Sequence, residues 1–132
     1  MIEIASSTEP NGMLQKDIAK NQNISLKYLD PIILSLKLKG LLANSKGRGS
    51  GYILAHPAEE ITMFDIYTSF EQITIIECIN NCGFCERSVH DCKAKNYWSD
   101  FRDDFCDMLK KKTLSEIMNP INCDCFQLDK RK

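Results

Sequence analysis

The chain has 132 residues, of which 43% are hydrophobic and 27% are charged. This composition is typical of one globular domain and excludes a disordered chain. A formal net charge of −1 excludes a uniformly basic nucleic-acid-binding protein. Because no apolar run approaches the roughly 18 to 20 residues that cross a bilayer, and no signal-like stretch follows Met1, we expect a cytoplasmic protein rather than a membrane or secreted one.

The charged residues are segregated along the chain. Residues 14–56 carry seven Lys or Arg against two acidic residues, whereas residues 57–92 carry one Arg against seven acidic residues. A basic block beside an acidic one is typical of a protein that keeps a separate face for a polyanion. Taken alone, the same pattern also fits a solvated surface.

Two predicted helices open the chain, and a tight turn joins the second to a third. A short apolar helix over 1–5 is followed by the turn formers of 10–12 and by a predicted helix over 13–22. Asn23 is the residue type that, after glycine, best tolerates the positive φ of a tight bend. Ser25 is a candidate N-cap, since its hydroxyl can accept from a free backbone N–H of the next helix. The segment therefore predicts a helix-turn-helix or, alternatively, an ordinary antiparallel helix pair without a ligand.

The third predicted helix carries an apolar stripe and a proline. Its apolar residues recur at helical spacing and are expected to be buried: Leu26, Leu29, Ile33 and Leu36. Gly40 is expected to end the helix. Because Pro31 lies inside the helix and has no backbone N–H, we expect a kink there or a late helix start.

Two short predicted strands, over 41–43 and 52–55, flank a basic, glycine-rich loop. The order helix, turn, helix and basic hairpin is that of a winged helix, in which the second helix of the pair enters the major groove with its first turn toward the bases. Arg48 at the hairpin tip is a candidate for a contact to the DNA backbone or minor groove, and a solvated loop arginine is the alternative. We therefore predict a mainly α-helical fold with a small β-hairpin wing.

The second half of the chain predicts a long amphipathic helix. Before it, Thr62 and Asp65 form a capping pattern that opens a short helix ending near Phe70. Over 95–112 an apolar, mostly aromatic stripe recurs at helical spacing: Trp98, Phe101, Phe105, Met108 and Leu109. Such a face on a long helix near the end of a domain is typical of a dimerisation element. A second capping pattern at Thr113 predicts a final short helix.

Four of the seven cysteines fall within 15 residues: Cys78, Cys82, Cys85 and Cys92. His90 lies among them in a polar, glycine-containing loop, and thiolates are soft ligands that suit Zn²⁺ and iron–sulfur clusters. A tetrahedral zinc site needs four ligands and could use Cys82, Cys85, His90 and Cys92. An iron–sulfur cluster could instead use the evenly spaced Cys78, Cys85 and Cys92. Spacing alone does not decide between these sites, and buried, inert thiols are a third alternative.

Several segments, in this order, resemble the IscR/NsrR-type, or Rrf, family of bacterial winged-helix transcription regulators. The resemblance covers about residues 14–118. The segments that carry it are LQKDIA (14–19), ISxxYL (24–29), LxxxGL (36–41), GYxLA (51–55), EITxxDI (60–66) and CERSxHxC (85–92).

The resemblance implies a bacterial cytoplasmic homodimer that binds palindromic operator DNA and senses iron, nitric oxide or redox state. Many members of the family carry a [2Fe–2S] or [4Fe–4S] cluster on three cysteines, and some carry no cluster. Carried over by position, the cluster ligands would be Cys78, Cys85 and Cys92. Cys82 and His90 are the candidates for a further ligand.

The resemblance also implies DNA contacts at the start of the third helix and in the wing: Ser25, Lys27, Tyr28, Lys46 and Arg48. We divide the chain into a winged helix-turn-helix domain over 1–72, a cysteine-rich cluster-binding loop over 73–93, a dimerisation helix with a short terminal helix over 94–118, and a tail over 119–132. Because only residues 1–5 match the end of the family's first helix, the chain is expected to be N-terminally short.

Two further hypotheses belong to other classes of protein. A zinc-stabilised adaptor would use the aromatic helix to bind other proteins and would not bind DNA. A cysteine-redox enzyme is disfavoured because neither a Cys-x-x-Cys at a helix start nor a catalytic Cys/His pairing is evident. We therefore expect a regulator rather than an enzyme. Its expected partners are duplex DNA and a second copy of the chain, with no membrane and no small-molecule substrate.

Overall fold

The computed structural model describes residues 1–47, 49–80 and 92–119, and within them the chain forms seven helices and one antiparallel hairpin. The helices and strands are α1 (Ile2–Ala5), α2 (Gln15–Asn21), α3 (Leu26–Leu38), β1 (Leu42–Asn44), β2 (Tyr52–Leu54), α4 (Met63–Thr68), α5 (Glu77–Asn80), α6 (Lys95–Lys111) and α7 (Leu114–Met118). The predicted fold class, mainly helical with a small hairpin, is confirmed.

The turn between α2 and α3 is built on Asn23, whose φ is 53°. The Asn23 N–H donates to the Lys20 carbonyl at 3.2 Å, and the Ile24 N–H donates to the Ala19 carbonyl at 3.0 Å. This pair of bonds is a Schellman motif, which ends a helix with one residue in the left-handed region. The Ser25 hydroxyl then accepts from the Tyr28 N–H at 3.1 Å, so α3 begins with the predicted N-cap.

Helix α3 begins directly after its cap and continues through Pro31 to Leu38. The predicted late start is therefore wrong, because the proline removes only the hydrogen bond to the Lys27 carbonyl, on an exposed part of the helix. The predicted stripe is buried at its last three positions but not at Leu26, which is 49% exposed. Leu26 is the first residue of the helix and lies outside the packed segment that begins at Leu29.

The hairpin pairs β1 with β2 in an antiparallel register that sets Ala43 opposite Ile53. Met13, predicted to be helical, instead pairs with Tyr52 through two backbone hydrogen bonds of 2.8 and 3.0 Å, so α2 begins only at Gln15. This pairing needs a very close backbone approach, since a Cβ on Gly51 would lie 2.5 Å from the carbonyl carbon and oxygen of Met13.

The core joins the three N-terminal helices, the hairpin and α7. Its buried residues are Ile4, Ile18, Ala19, Leu29, Ile33, Leu36, Leu41, Leu42, Ile61 and Leu114. Ile61 and Leu114 are the most completely buried side chains among the described residues, and the Leu114 N–H donates to the Ile61 carbonyl at 2.8 Å. The chain that follows α6 is thus anchored beside the start of α4.

The 17-residue helix α6 packs along α4 without burying any of its own residues fully. The rings of Tyr67 and Phe105 meet edge to face at 6.5 Å, and the Lys110 ammonium lies 5.3 Å from the Phe64 ring centre. The nearby Glu71 carboxylate, which accepts from the Tyr67 hydroxyl at 3.2 Å, raises the pKa of that phenol above its ordinary value. In the part of the chain that the structure describes, no helix is both long and apolar enough to span a membrane.

Candidate nucleic-acid interface and cysteine site

The first turn of α3 presents the three residues predicted there to contact DNA. Tyr28 is 63% exposed, and Ser25 and Lys27 are also exposed. The Ser25 oxygen accepts one hydrogen bond as the helix cap, which leaves its O–H as a donor. Lys27 forms no ion pair with any described residue. This end of the helix therefore offers a hydroxyl, an ammonium and a phenol to a ligand.

The other lysines of the basic block, residues 14–56, are exposed as well. All six lysines of the basic block are exposed: Lys16, Lys20, Lys27, Lys37, Lys39 and Lys46. One of the two acidic residues in this block, Asp30, accepts a short hydrogen bond from the Gln15 amide, which ties its carboxylate to α2. The six lysines of the basic block are thus all accessible to a polyanion.

A polar chain connects the hairpin to both helices, and sequence spacing did not reveal it. The Tyr52 hydroxyl of β2 donates to the Gln15 side-chain oxygen at 3.2 Å, and Gln15 in turn donates to Asp30 of α3. The Lys37 ammonium lies 5.7 Å from the centre of the Tyr52 ring. These residues are far apart in sequence, so only the folded chain brings them together, and their contacts join the hairpin to α2 and α3.

The hairpin loop holds the remaining two predicted DNA contacts. Lys46 is exposed, whereas Arg48 lies outside the residues that the structure describes. Gly47 and Gly49, on either side of Arg48, have φ of 111° and 74°. These conformations favour glycine, which accounts for the glycine-rich sequence of the loop.

Two of the predicted cluster ligands belong to the described residues. Cys78 lies in α5 and Cys92 lies three residues before α6, and both thiols are half-buried. A hydrogen bond of 3.5 Å from the Arg102 guanidinium to the Asn80 amide oxygen joins the two helices. Among residues 1–47, 49–80 and 92–119, no group of three His, Cys, Asp or Glu side chains is placed to hold a metal ion.

The other three candidate ligands, Cys82, Cys85 and His90, lie outside the described residues. The donor chemistry of the set fits both proposed centres, since thiolates bind iron–sulfur clusters and zinc.

Helix α6 exposes two of the five residues of the predicted stripe, Phe101 and Met108. Trp98 packs edge to face against Tyr97 at 5.2 Å and against Phe101 at 6.0 Å. Phe101 is 45% exposed, and Tyr97 and Met108 are exposed to a greater extent. Adjacent exposed aromatic rings on one helix are typical of a surface that a partner covers.

Comparison with known proteins agrees with this arrangement. A family model described as Rrf2, iron-dependent transcriptional regulator, matches residues 1–120. The HTH-type transcriptional regulator IscR of Pectobacterium carotovorum is 30% identical over 120 residues, which span 90% of this chain and 72% of that protein. The protein Rrf2 of Nitratidesulfovibrio vulgaris is 30% identical over 119 residues, which span 89% of this chain and 79% of that protein.

The fold is shared with a solved structure. CymR, the global cysteine regulator of Bacillus subtilis, superposes with a TM-score of 0.70 at 24% identity, and the match covers 92% of this chain and 88% of that one. A likeness at this identity concerns the winged-helix fold alone. The family model, by contrast, spans every helix and strand described above. The chain therefore belongs to the Rrf2 family of transcriptional regulators.

Proposed function

We propose that the chain acts as a homodimer that binds operator DNA with α3 in the major groove and the hairpin as its wing. The observation that carries the proposal is the start of α3 behind the Asn23 turn, where Ser25, Lys27 and Tyr28 are all exposed. In a helix-turn-helix this end of the second helix contacts the bases. Lys46 and Arg48 then contact the backbone or minor groove from the wing.

Binding by this surface depends on salt. Each lysine that neutralises a phosphate releases condensed counterions, so affinity falls linearly on a logarithmic scale as salt rises. The net charge of −1 does not oppose this, because residues 14–56 carry seven Lys or Arg against only two acidic residues.

The test compares Lys27→Ala with Lys111→Ala, two substitutions that each remove one exposed positive charge. Binding to a labelled duplex is measured by fluorescence anisotropy over a range of salt concentrations. We expect Lys27→Ala to weaken binding about tenfold and to reduce the salt slope by about one, because hydrogen bonds to charged groups contribute about 1.5 kcal/mol or more. Lys111, on α6, lies outside the proposed interface, so its substitution leaves both quantities near wild type. Equal effects of the two substitutions contradict the proposed interface.

We propose that the cysteine-rich loop over 73–93 holds an iron–sulfur cluster on Cys78, Cys85 and Cys92, with Cys82 or His90 as candidates for a further ligand. Three observations support this: the thiol-rich donor set, the family's description as iron-dependent, and the two half-buried thiols at the ends of the segment. A cluster, when bound, supplies a centre that reacts with oxidants and nitric oxide. Cys92 lies just before α6. Gain or loss of the cluster in the loop over 73–93 therefore shifts the proposed dimer helix α6, and through it the relative positions of the two α3 helices of the dimer.

Anaerobic purification with iron, sulfide and zinc analysis tests the cluster. We expect a brown wild-type protein with iron and sulfide, loss of the visible absorption in Cys92→Ala, and its retention in Cys106→Ala. Cys106 is a suitable control because it is also a half-buried thiol and is not among the proposed ligands. Colourless protein with one zinc per chain supports the zinc site instead, and protein with none of the three supports a cluster-free regulator.

A further inference from the structure

The outer face of α3 has an unusual composition for a helix that binds DNA. Leu29, Ile33 and Leu36 form the buried face of the helix. Since successive residues are rotated by about 100°, the opposite face is formed by Lys27 and, further along the chain, by three apolar residues. In chain order these apolar residues are Pro31, Leu34 and Leu38. The face therefore begins with one cation and continues as an apolar ridge.

The ridge is accessible and does not belong to the core. Leu34 is 57% exposed and Leu38 is 80% exposed, and Pro31 is also exposed. None of the three belongs to the buried core or to the apolar residues packed against it. A single exposed leucine is ordinary on a protein surface. Three exposed apolar residues in a line on the outer face of a proposed recognition helix instead suggest a contact with the DNA.

The spacing of the ridge matches the reading positions of a recognition helix. Homeodomain recognition helices contact the major groove through residues at i, i+3, i+4 and i+7. Lys27, Pro31 and Leu34 stand at i, i+4 and i+7 and span about 10 Å of helix axis, which corresponds to about three base pairs. Leu38 lies about 6 Å further along, beyond the N-terminal part of the helix that reads bases.

The chemistry of the groove identifies the ligand of the ridge. Neither Pro31 nor Leu34 has a side-chain donor or acceptor, so neither can hydrogen-bond to a base edge. The one apolar group that bases display in the major groove is the C5-methyl of thymine. We infer that Pro31 and Leu34 are specificity-determining residues that select thymine by contact with its methyl group, next to the base pair or phosphate that Lys27 binds. This inference rests on the proposed function.

The experiment begins by selecting preferred duplexes from a random library with the wild-type protein. Each thymine of the selected half-site is then replaced by deoxyuridine, which lacks only the methyl group. Because burial of one such carbon stabilises by about 0.8 kcal/mol, we expect the replacement to weaken binding about fourfold at one or two positions of each half-site. With the Leu34→Ser variant, we expect deoxyuridine replacement to no longer weaken binding at one of these positions. With the matched control Leu38→Ser, we expect the replacement to weaken binding as much as it does with the wild-type protein.

The outcomes separate this inference from the proposed function. If the wild-type protein selects no duplex, the proposed function fails and the inference fails with it. If it selects a sequence but deoxyuridine replacement has no effect, or has the same effect in wild type and Leu34→Ser, the inference is overturned while the proposed function stands. Both leucines are exposed, so neither substitution is expected to change the fold, and circular dichroism of each variant checks this.

Discussion

Asn23 sets the angle between α2 and α3 as a single residue with φ of 53°. The left-handed conformation costs an ordinary L-residue roughly 1 to 2 kcal/mol, more for a β-branched residue, and almost nothing for glycine. We expect Asn23→Val to lower the free energy of unfolding by about 1 to 2 kcal/mol, and Asn23→Gly to keep or slightly raise it. Urea unfolding followed by circular dichroism measures both, and a valine variant as stable as wild type contradicts the assigned turn.

Gly51 shows a second residue-scale constraint, which comes from close approach rather than from φ. A Cβ at this position meets the carbonyl of Met13 at 2.5 Å, so Gly51→Ala must push apart the pairing of Met13 with Tyr52. We expect a loss of about 1 to 3 kcal/mol in the free energy of unfolding, as overpacking typically causes. The neighbouring Ser50→Ala should change it by less than about 0.5 kcal/mol. Equal stability of the two variants would mean that the loop backbone relaxes freely.

At the scale of elements, α4 depends on its capping box. The Thr62 hydroxyl accepts from the Asp65 N–H at 3.1 Å, and the Asp65 carboxylate accepts from the Thr62 N–H at 3.1 Å. The six-residue helix is too short to be stable alone, so these two bonds contribute to its stability.

We expect Thr62→Ala to lower the free energy of unfolding by about 1 kcal/mol, because it leaves a helix-terminal N–H without its cap. Thr68→Ala is the matched control on the same helix. The Thr68 hydroxyl donates to the Phe64 carbonyl within the helix at 2.8 Å, a bond that contributes little to helix stability. Chemical denaturation of both variants gives the comparison, and a larger loss in Thr68→Ala would contradict the importance of the box.

At the scale of the whole molecule, we propose that the exposed aromatic residues of α6 form the dimer interface. None of the 17 residues of α6 is fully buried in a single chain, and the ring of Trp98 contacts those of the exposed Tyr97 and Phe101. Two-fold dimers are the commonest protein oligomers, and one would present two α3 helices to the two halves of a palindrome.

Phe101→Glu should therefore convert the dimer to a monomer, because it places a charge in the proposed interface. Asp100→Lys is the control, since it changes an exposed charge at a position about 100° around the same helix. Light scattering after size-exclusion chromatography measures the mass of each protein. A monomeric wild type contradicts the dimer, and a dimeric Phe101→Glu moves the interface away from this face.

The amino-acid sequence by itself determined the features that depend on neighbouring residues. The Asn23 turn, the Ser25 cap and the Thr62 capping box were all predicted and are confirmed, because each involves residues within about four positions of one another. The order of motifs likewise identified the family, which the family model over residues 1–120 confirms. The proposed metal ligands and DNA contacts stay predictions, and Arg48 is among those outside the described residues.

Only the tertiary structure decided the features that join distant parts of the chain. The local sequence predicted that Met13 is helical, but Met13 instead pairs with Tyr52 of β2. This pairing is possible because Gly51 has no Cβ to clash with the Met13 carbonyl. Helical periodicity predicted a buried stripe on α3 but did not show where packing begins, so Leu26 is exposed. The Tyr52–Gln15–Asp30 hydrogen bonds were also invisible in the sequence. Such contacts depend on which surfaces meet after folding, and no periodicity within one segment carries that information.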